Sequence, residues 1–463
     1  YRRLLFEKAI RPCFIAHFRN NMPETDSHEI EYVTPKYLGQ DPSVGRIPIA
    51  SEDSVFIPLK DLIDATENET AAVLWKSHYS GTPCDRRLIN YLQKYPVLNK
   101  LMGTSNSNGP WKKCKGLQPW YQAGYDRSPK TYGLPKPIPG KLDDPFIEAT
   151  NKGAQIILLS NDCITLREKL ETVKYKGGGI SDSMRKASLK GLRRSPSQFP
   201  LTPPMVLINK GFNRVLFSDF FVFYQDSVTG ISGPEEDRGL LVFLSIYVQS
   251  RLANFFQFHT SGSWGIERPE VKLHELMTLP FPTPSDLGSR NDNACDVIKK
   301  ITNKVESFKN ELEEKQKEYI EFQNNMMFHE YSFDEYRQER ADRLSKEIDP
   351  LVYEYFGLTE EEIALVEDTC EIYEKSATPN HYAKPIKTLQ ATNENQRLQY
   401  STWLCKKLNH WIEEAWLPKS PPFLFSAKSL RFSNLNQILI SLFKTEHNLI
   451  PIDVDHDDLE MIN

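Results

Sequence analysis

The stretch that decides the fold reads PMVLINKGFNRVLFSDFFVFYQD over residues 204–226 and is followed by LLVFLSIYVQSRLANFFQF over residues 240–258. The first part is rich in β-branched and aromatic residues and is interrupted by turn residues, which predicts buried strands. The second part is apolar but contains Gln249 and Arg251, so it predicts one buried helix, Gly239–His259, and not a membrane span. We therefore expect an α+β domain centred on these strands and this helix.

From Asn293 the pattern becomes helical, with apolar residues at alternating spacings of three and four. The positions of this heptad seam, with one charged interruption, are Ile298, Ile301, Val305, Phe308, Leu312, Lys315, Tyr319, Phe322 and Met326. The seam predicts a coiled-coil-like helix of about 45 Å at about 1.5 Å per residue. A second run, Phe333–Tyr355, is expected to pack back on it and to stop at Gly357. Thr359 with Glu362 predicts a capping box for the next helix.

The composition is that of an ordinary globular protein. The 463 residues are 26% charged and 39% apolar, and the net charge is −5. Seven cysteines without a CxxC pair argue against a disulfide framework or a zinc module and favour a reducing, cytoplasmic location. No signal peptide and no long uninterrupted apolar span are present, so we expect no membrane partner.

Two stretches are locally basic although the whole chain is acidic. The first basic segment, Trp111–Lys141, has seven Lys or Arg residues against one Asp and also contains several aromatic residues. The second basic segment, Arg167–Arg194, has nine Lys or Arg residues against three acidic ones and contains the triple glycine Gly177–Gly179. Cations near phosphates release condensed counterions, and aromatic rings can stack on bases. The segments therefore predict a nucleic-acid surface, with solvated loops of an ordinary protein as the alternative.

A self-contained active site is not visible in the sequence. The patterns GxxxxGK[ST], HExxH, GxSxG and GxGxxG are absent, as are the FxGxG and (D/N)PP(Y/F) loops of amino-methyltransferases. The ten histidines show no metal-ligand spacing, and His259 and His274 are interpreted as packing or surface residues. We predict no catalytic residue, cofactor-binding residue or metal ligand in this chain.

Several segments, in order, resemble one family of proteins. They are LLFEKAIRPCFIAHFRNNMPETDSHEIEYVTPK (4–36), VLWKSHYSGTPCDRRLINYLQKYPVLNKL (73–101), LINKGFNRVLFSDFFVFY (207–224), LLVFLSIYVQSRLANFFQFHTSGSWGIERPEVKLHELMTLPFP (240–282) and DPLVYEYFGLTEEEIALVED (349–368). This ordered set is similar to the C-terminal region of the large adenine-specific DNA methyltransferases of type IIG restriction–modification and BREX-like phage-defence systems. Each motif alone is weak, and the resemblance depends on their order over most of residues 1–370.

The resemblance implies a domain order. Residues 1–40 would be the end of a methyltransferase domain, with a strand pair at Pro12–Arg19 and Glu29–Lys36. Residues 41–290 would be a mixed α/β target-recognition domain, 291–356 a helical hairpin, and 357–463 a mostly helical tail. The catalytic motifs would lie upstream of Tyr1, so we interpret the chain as a piece of a longer protein.

The resemblance also implies a function. An upstream domain would bind S-adenosylmethionine and flip the adenine out of the duplex, while this chain would read double-stranded DNA and clamp its phosphates. The candidate DNA-binding residues, chosen from the basic segments and from the family-like GSWGIER loop, are Lys174, Lys176, Arg185, Lys186, Lys190, Arg193, Arg194, Lys112, Lys113, Trp120, Trp264 and Arg268. For Arg268, DNA contact and a structural role pinning its loop are weighed equally.

Two other functions stay open on the sequence alone. The chain could be a stand-alone specificity subunit that recruits separate catalytic chains. It could also be a scaffold that binds protein through its helical hairpin and does not bind DNA. The seam fits an assembly helix and an intramolecular brace equally well.

Overall fold

The structure is a computed structural model in two compact units, Tyr1–Ile386 and Lys387–Asn463. It describes residues 16, 28–34, 53–68, 70–104, 107–117, 119–121, 143–148, 156–173, 189–192, 201–209, 214–262, 264, 271–288, 291–325, 332–374, 423–432 and 435–444. Helices and strands both contribute, so the predicted α+β class is confirmed.

The elements are numbered in chain order. The described strands are β1 (Glu29–Val33), β2 (Ser54–Pro58), β3 (Gly103–Thr104), β4 (Ser107–Asn108), β5 (Lys112–Lys115), β6 (Pro119–Tyr121), β7 (Pro145–Ile147), β8 (Ile156–Ile157), β9 (Ile164–Thr165), β10 (Leu189–Leu192), β11 (Met205–Asn209), β12 (Val215–Ser218), β13 (Phe223–Tyr224), β14 (Val228–Ser232), β15 (Phe423–Phe432) and β16 (Leu435–Lys444). The described α-helices are α1 (Leu59–Glu67), α2 (Ala71–Ser80), α3 (Pro83–Leu92), α4 (Leu166–Val173), α5 (Arg238–Tyr247), α6 (Arg251–Thr260), α7 (Leu273–Met277), α8 (Pro284–Leu287), α9 (Ala294–Asn325), α10 (Phe333–Phe356) and α11 (Glu360–Asp368).

A five-stranded sheet forms the centre of the first unit, in the order β5-β14-β11-β12-β8. Its pairs are antiparallel except for β8, which runs parallel to β12. A smaller sheet has the order β13-β7-β9, and three two-stranded sheets pair β1 with β2, β3 with β4 and β6 with β10. The first basic segment starts in the larger sheet, with β5.

Both faces of the central sheet are covered. On β11, Val206 and Ile208 lie in the larger hydrophobic core, while Met205 and Leu207 lie in a smaller core on the other face. Side chains alternate between the faces of a strand, so a strand that is buried on both sides is apolar throughout. The prediction of buried strands within 204–226 is confirmed.

The prediction of one helix over Gly239–His259 is wrong. The chain instead forms α5 and α6, which are bent by 63° relative to each other. Ser250 starts the second helix, because its hydroxyl accepts a hydrogen bond of 3.3 Å from the Ala253 N–H. Among the described residues no single helix is long and apolar enough to cross a membrane, although this bent pair passes the same test jointly.

The helices α9 and α10 form an antiparallel pair, called the helical hairpin below. The long helix α9 has 32 residues. Its buried seam residues are Ile298, Ile301, Val305, Phe308 and Leu312. Farther along, Lys315 is exposed and the neighbouring Gln316 is 9% exposed. A bidentate contact from Arg340 to the Glu311 carboxylate, with 2.6 Å from Nε, joins the two helices.

The end of the helical hairpin follows the prediction. Gly357 has φ 62° and ψ 43°, a left-handed conformation that favours glycine, and α10 ends there. Thr359 accepts a hydrogen bond from the Glu362 N–H, and the Glu362 carboxylate accepts one from the Thr359 N–H at 2.9 Å. The predicted capping box at the start of α11 is therefore confirmed.

Two terminal regions were predicted less completely. The strand predicted within Glu29–Lys36 is present as β1, which pairs antiparallel with β2 from Glu29↔Pro58 to Val33↔Ser54. Its predicted partner, Pro12–Arg19, lies outside the described residues except for Ala16. In the second unit, β15 and β16 form an antiparallel hairpin that the sequence analysis did not predict. The boundaries of the predicted domains stay a prediction.

Candidate nucleic-acid interface

The first basic segment begins as an edge strand of the central sheet. Strand β5, with the sequence KKCK, pairs with β14 only, within the described sheet. Lys112 and Lys115 are exposed, and Lys113 donates a hydrogen bond of 3.3 Å to the Asn99 side chain. Trp111, fully buried, donates from its indole Nε1 to the Asp237 carboxylate at 2.8 Å. The buried indole thus fixes the start of a strand that presents lysines at the sheet edge.

A close approach of two backbones carries the chain from β5 to β6. A Cβ atom on Gly116 would lie 2.1 Å from the carbonyl oxygen of Gln225, so only glycine fits. The next residue, Leu117, donates its N–H to the Tyr224 carbonyl at 2.7 Å and accepts from the Asp226 N–H at 3.0 Å. Just before β6, the backbone is therefore tied to residues 224–226.

The two basic segments meet in space. Strand β6 belongs to the first segment and β10 to the second, and they pair antiparallel with Leu189↔Tyr121, Gly191↔Trp120 and Leu192↔Pro119. The register shifts between Leu189 and Gly191, which places Lys190 at an irregularity of the ribbon. Stretches that are separated by about 70 residues in the sequence are thus joined by backbone hydrogen bonds.

Helix α4 anchors the start of the second basic segment. Its first residue, Leu166, is fully buried and donates its N–H to the Asp144 carbonyl at 2.9 Å. Lys169 on the same helix forms an ion pair with Glu148, which follows β7. The second basic segment therefore starts at a helix that is attached to the smaller sheet.

Charged groups with little exposure lie close to the residues that precede α4. Asp162, in the turn before β9, accepts a hydrogen bond of 2.8 Å from Arg337 of α10. The guanidinium of Arg214 donates to the Glu148 carbonyl at 2.9 Å. Burial lowers the pKa of Arg214, while the nearby Asp162 carboxylate acts in the opposite direction. These groups were not predicted from the sequence.

Lys76 is a third buried cation that was not predicted from the sequence. It is 4% exposed, and its ammonium lies 4.8 Å from the centre of the Phe258 ring and 5.5 Å from that of Tyr79. Burial lowers its pKa to about 7. Nearby, the imidazole of the buried His259 lies 2.9 Å from the Ser80 hydroxyl and 3.3 Å from that of Thr369, which agrees with its predicted packing role.

The candidate DNA-binding residues fall into three groups. Those outside the described residues are Lys174, Lys176, Arg185, Lys186, Arg193, Arg194 and Arg268. Lys190 and Trp120 lie in the paired strands β10 and β6, and Lys112 and Lys113 lie in β5. Trp264 is half-buried against the larger core, which fits a packing role as well as a role in binding. Their contact with DNA stays a prediction.

A metal centre is not evident in the described part of the chain. There, no three His, Cys, Asp or Glu side chains are placed so that they could hold an ion. A small cavity lined by Leu207, Arg214 and Val228, among others, has room for about one water molecule. We therefore take the paired strands of the two basic segments as the candidate site.

Comparisons with known proteins give weak similarity, and only to solved structures. No family model matches the chain, and no curated protein matches it. Among solved structures, the HsdS subunit from Thermoanaerobacter tengcongensis is similar at 10% sequence identity with a TM-score of 0.18. The alignment covers 70% of this chain and 66% of that subunit, which is just under two thirds of its length. At this TM-score the similarity carries no argument about function.

Proposed function

We propose that this chain recognises double-stranded DNA for an adenine-specific, S-adenosylmethionine-dependent methyltransferase of a restriction–modification or phage-defence system. The observation that carries the proposal is the pairing of β6 with β10, which joins the two basic segments of an acidic chain. The pairing brings together strands of two segments that are both rich in Lys and Arg. DNA, with its regular row of phosphates, is a partner that such segments would bind.

The geometry suits this role. A two-stranded ribbon can enter the major groove of B-DNA, which is about 12 Å wide. Lysines of the neighbouring edge strand β5 and of the second basic segment would then contact phosphates on either side of the groove. Because β5 belongs to the central sheet, its cations are held on a rigid scaffold, which reduces the entropy lost on binding.

The chemistry would be divided between two parts of the system. The adenine amino group is inaccessible inside the duplex, so a methyltransferase domain or subunit must flip the base and hold S-adenosylmethionine. In our proposal that domain is a partner of this chain, which supplies the base-reading and phosphate-clamping wall. No residue of this chain is assigned to the cofactor or to methyl transfer.

The stand-alone specificity subunit remains the second candidate. It differs from the first only in whether the catalytic part is covalently attached. The coding sequence that precedes the codon for Tyr1 distinguishes the two. A continuous reading frame with a (D/N)PP(Y/F) motif supports one polypeptide, and a separate gene for a methyltransferase supports a subunit.

The protein-binding scaffold has less support. That function needs an apolar helix face to remain available for a partner, whereas the seam residues Ile301, Val305 and Leu312 are buried inside this chain. This burial supports the helical hairpin as an internal brace. A scaffold also offers no reason for the two basic segments to converge.

Titration of fluorescent DNA duplexes at two salt concentrations tests the proposal. The test variant replaces Arg185, Lys186, Arg193 and Arg194 with Ala, and the control variant replaces four cations of the helical hairpin, Lys299, Lys304, Lys315 and Arg343, with Ala. The two variants carry equal charge. We expect the test variant alone to bind at least about 10-fold more weakly, with a salt slope reduced by about 0.9 for each phosphate contact that is lost. No binding by the wild type would reject DNA recognition, and equal binding by the two variants would reject these four cations as the DNA contacts.

A further inference from the structure

We propose that Asp162 and Arg337 form a buried joint through which the helical hairpin fixes the position of the second basic segment. This inference rests on the proposed DNA recognition and adds a positioning role for two residues outside the basic surface. Asp162 lies in the turn just before β9 and α4, where the second segment starts, and Arg337 lies on α10.

The carboxylate of Asp162 connects two parts of the molecule. One oxygen accepts a hydrogen bond of 3.0 Å from the Leu159 N–H within its own turn, and the other accepts one of 2.8 Å from Arg337. The Arg337 side chain is 2% exposed and that of Asp162 is 11% exposed. Where water is excluded, an ion pair is stronger and more directional than at the surface. The turn and α10 are therefore held to each other.

Both helices of the hairpin contribute to the Arg337 side of the joint. The guanidinium lies 4.7 Å from the centre of the Phe333 ring, and this ring lies 6.1 Å from that of Tyr319 on α9. A slide of α10 by one turn would move the guanidinium by about 5.4 Å. That displacement would break the ion pair, so the joint fixes the register of the hairpin against the turn.

The recognition side of the joint reaches α4 by a second route. Glu148 accepts a hydrogen bond from Arg214 at its carbonyl and forms an ion pair with Lys169 of α4 at its carboxylate. Arg214 in turn interacts electrostatically with Asp162. The start of the second basic segment is thus held both before α4 and within it.

The exposed ion pairs of the hairpin provide a matched comparison. Arg343, on the same helix as Arg337, pairs with Glu339, and the two side chains are 56% and 60% exposed. Exposed pairs of this kind contribute little to stability. Arg343→Met therefore removes the same type of side chain from the same helix without touching the joint.

Hydrogen exchange without DNA tests the joint directly. We expect Arg337→Met to raise amide exchange in the α4 peptide, residues 163–173, at least about 10-fold, because local opening of this segment becomes easier. Exchange in the α9 seam should stay near the wild-type rate, and Arg343→Met should resemble the wild type throughout. Unchanged protection of α4 in Arg337→Met would overturn the proposal.

A double variant separates positioning from stability. Arg337→Met with Asp162→Asn removes both charges of the ion pair, and the new carboxamide can still accept from the Leu159 N–H, while Arg214 keeps its hydrogen bond to the Glu148 carbonyl. We expect its thermal midpoint to return toward that of the wild type. We expect its DNA binding to stay about 10-fold weaker, with a shallower salt slope. Recovery of wild-type DNA affinity and slope together with stability would make the pair merely structural and overturn the proposal.

The two proposals fail in different ways. A wild-type chain that binds no duplex refutes the proposed function, while the exchange comparison still decides whether the joint holds α4. A wild-type chain that binds DNA, with Arg337→Met binding equally well and with the same salt slope, refutes the joint and leaves DNA recognition intact.

Discussion

Two regions of the molecule bury a cation, and they differ in whether it has a carboxylate partner. In the contact of α2 with α6, Lys76 is 4% exposed, and among the described residues no group accepts a hydrogen bond from its ammonium. Where α10 meets the turn before α4, Arg337 is 2% exposed and faces the Asp162 carboxylate at 2.8 Å. Burial is nearly equal in the two regions, so the difference lies in the partner.

Burying a charge is costly unless another charge or a hydrogen-bonding group compensates it, and the two regions differ in this compensation. Lys76 has two aromatic rings, which attract a cation weakly, and burial lowers its pKa to about 7. It is thus close to losing its proton at neutral pH. Arg337 has an anion in hydrogen-bonding distance, and its ion pair connects two elements. Burial of the Lys76 ammonium is therefore destabilising, whereas the ion pair of Arg337 holds α10 and the turn before β9 to each other.

The largest effect is expected when Arg337 loses its carboxylate partner and so becomes like Lys76. Asp162→Ala leaves the Arg337 guanidinium buried without its carboxylate, and we expect the free energy of unfolding to fall by about 3–5 kcal/mol. Urea denaturation at neutral pH measures the change. A loss below about 1 kcal/mol, the value typical of surface pairs, would show that water reaches the guanidinium and that the two regions do not differ as described.

The next effect is the dependence of the free energy of unfolding on pH that Lys76 causes. The folded-state pKa of Lys76 is about 7, whereas the unfolded chain has the ordinary value of about 10.5. Between these values the unfolded state binds more protons, so the contribution of Lys76 becomes less unfavourable as the pH rises. We expect the titration of Lys76 to raise the free energy of unfolding by about 2 kcal/mol between about pH 7 and about pH 9.

The variant Lys76→Met isolates this contribution. Its methyl-terminated side chain fills a similar volume between Phe258 and Tyr79 without a charge, so it should be more stable than the wild type at neutral pH. The difference between the two proteins should shrink as the pH is raised, because titration of all other groups cancels in the subtraction. A stability difference that is independent of pH would mean that Lys76 keeps its proton in the folded state.

The sequence predicted the elements whose signals are local. The hairpin helices, the glycine at Gly357 and the Thr359 capping box all depend on spacings within a few residues, and they are present. The break between α5 and α6 was missed, because an apolar run has the same composition whether its helix is straight or restarts at the Ser250 cap. Short strands such as β6 carry too few residues to show a period.

The candidate site was predicted only in part, for a physical reason. The basic segments are visible in the sequence, but their meeting depends on a pairing across about 70 residues that no local pattern encodes. The position of Arg337 in the sequence does indicate burial. It lies in phase with Ala341 and Leu344, at i, i+4 and i+7, so it occupies the apolar face of α10. A charged residue in that position predicts a buried partner.

The smallest effect is expected at an exposed ion pair of the same hairpin. There the cation has a carboxylate partner but is not buried. Lys304 donates a hydrogen bond of 2.8 Å to Glu347, and their side chains are 41% and 47% exposed. That hydrogen bond lowers the pKa of Glu347, but solvent screening limits what the pair adds to stability. We expect Lys304→Met to change the free energy of unfolding by less than about 1 kcal/mol, and by still less in 1 M salt. Urea denaturation at two salt concentrations measures both values. An effect as large as that of Asp162→Ala would mean that the presence of a partner, and not its burial, determines the strength of these ion pairs.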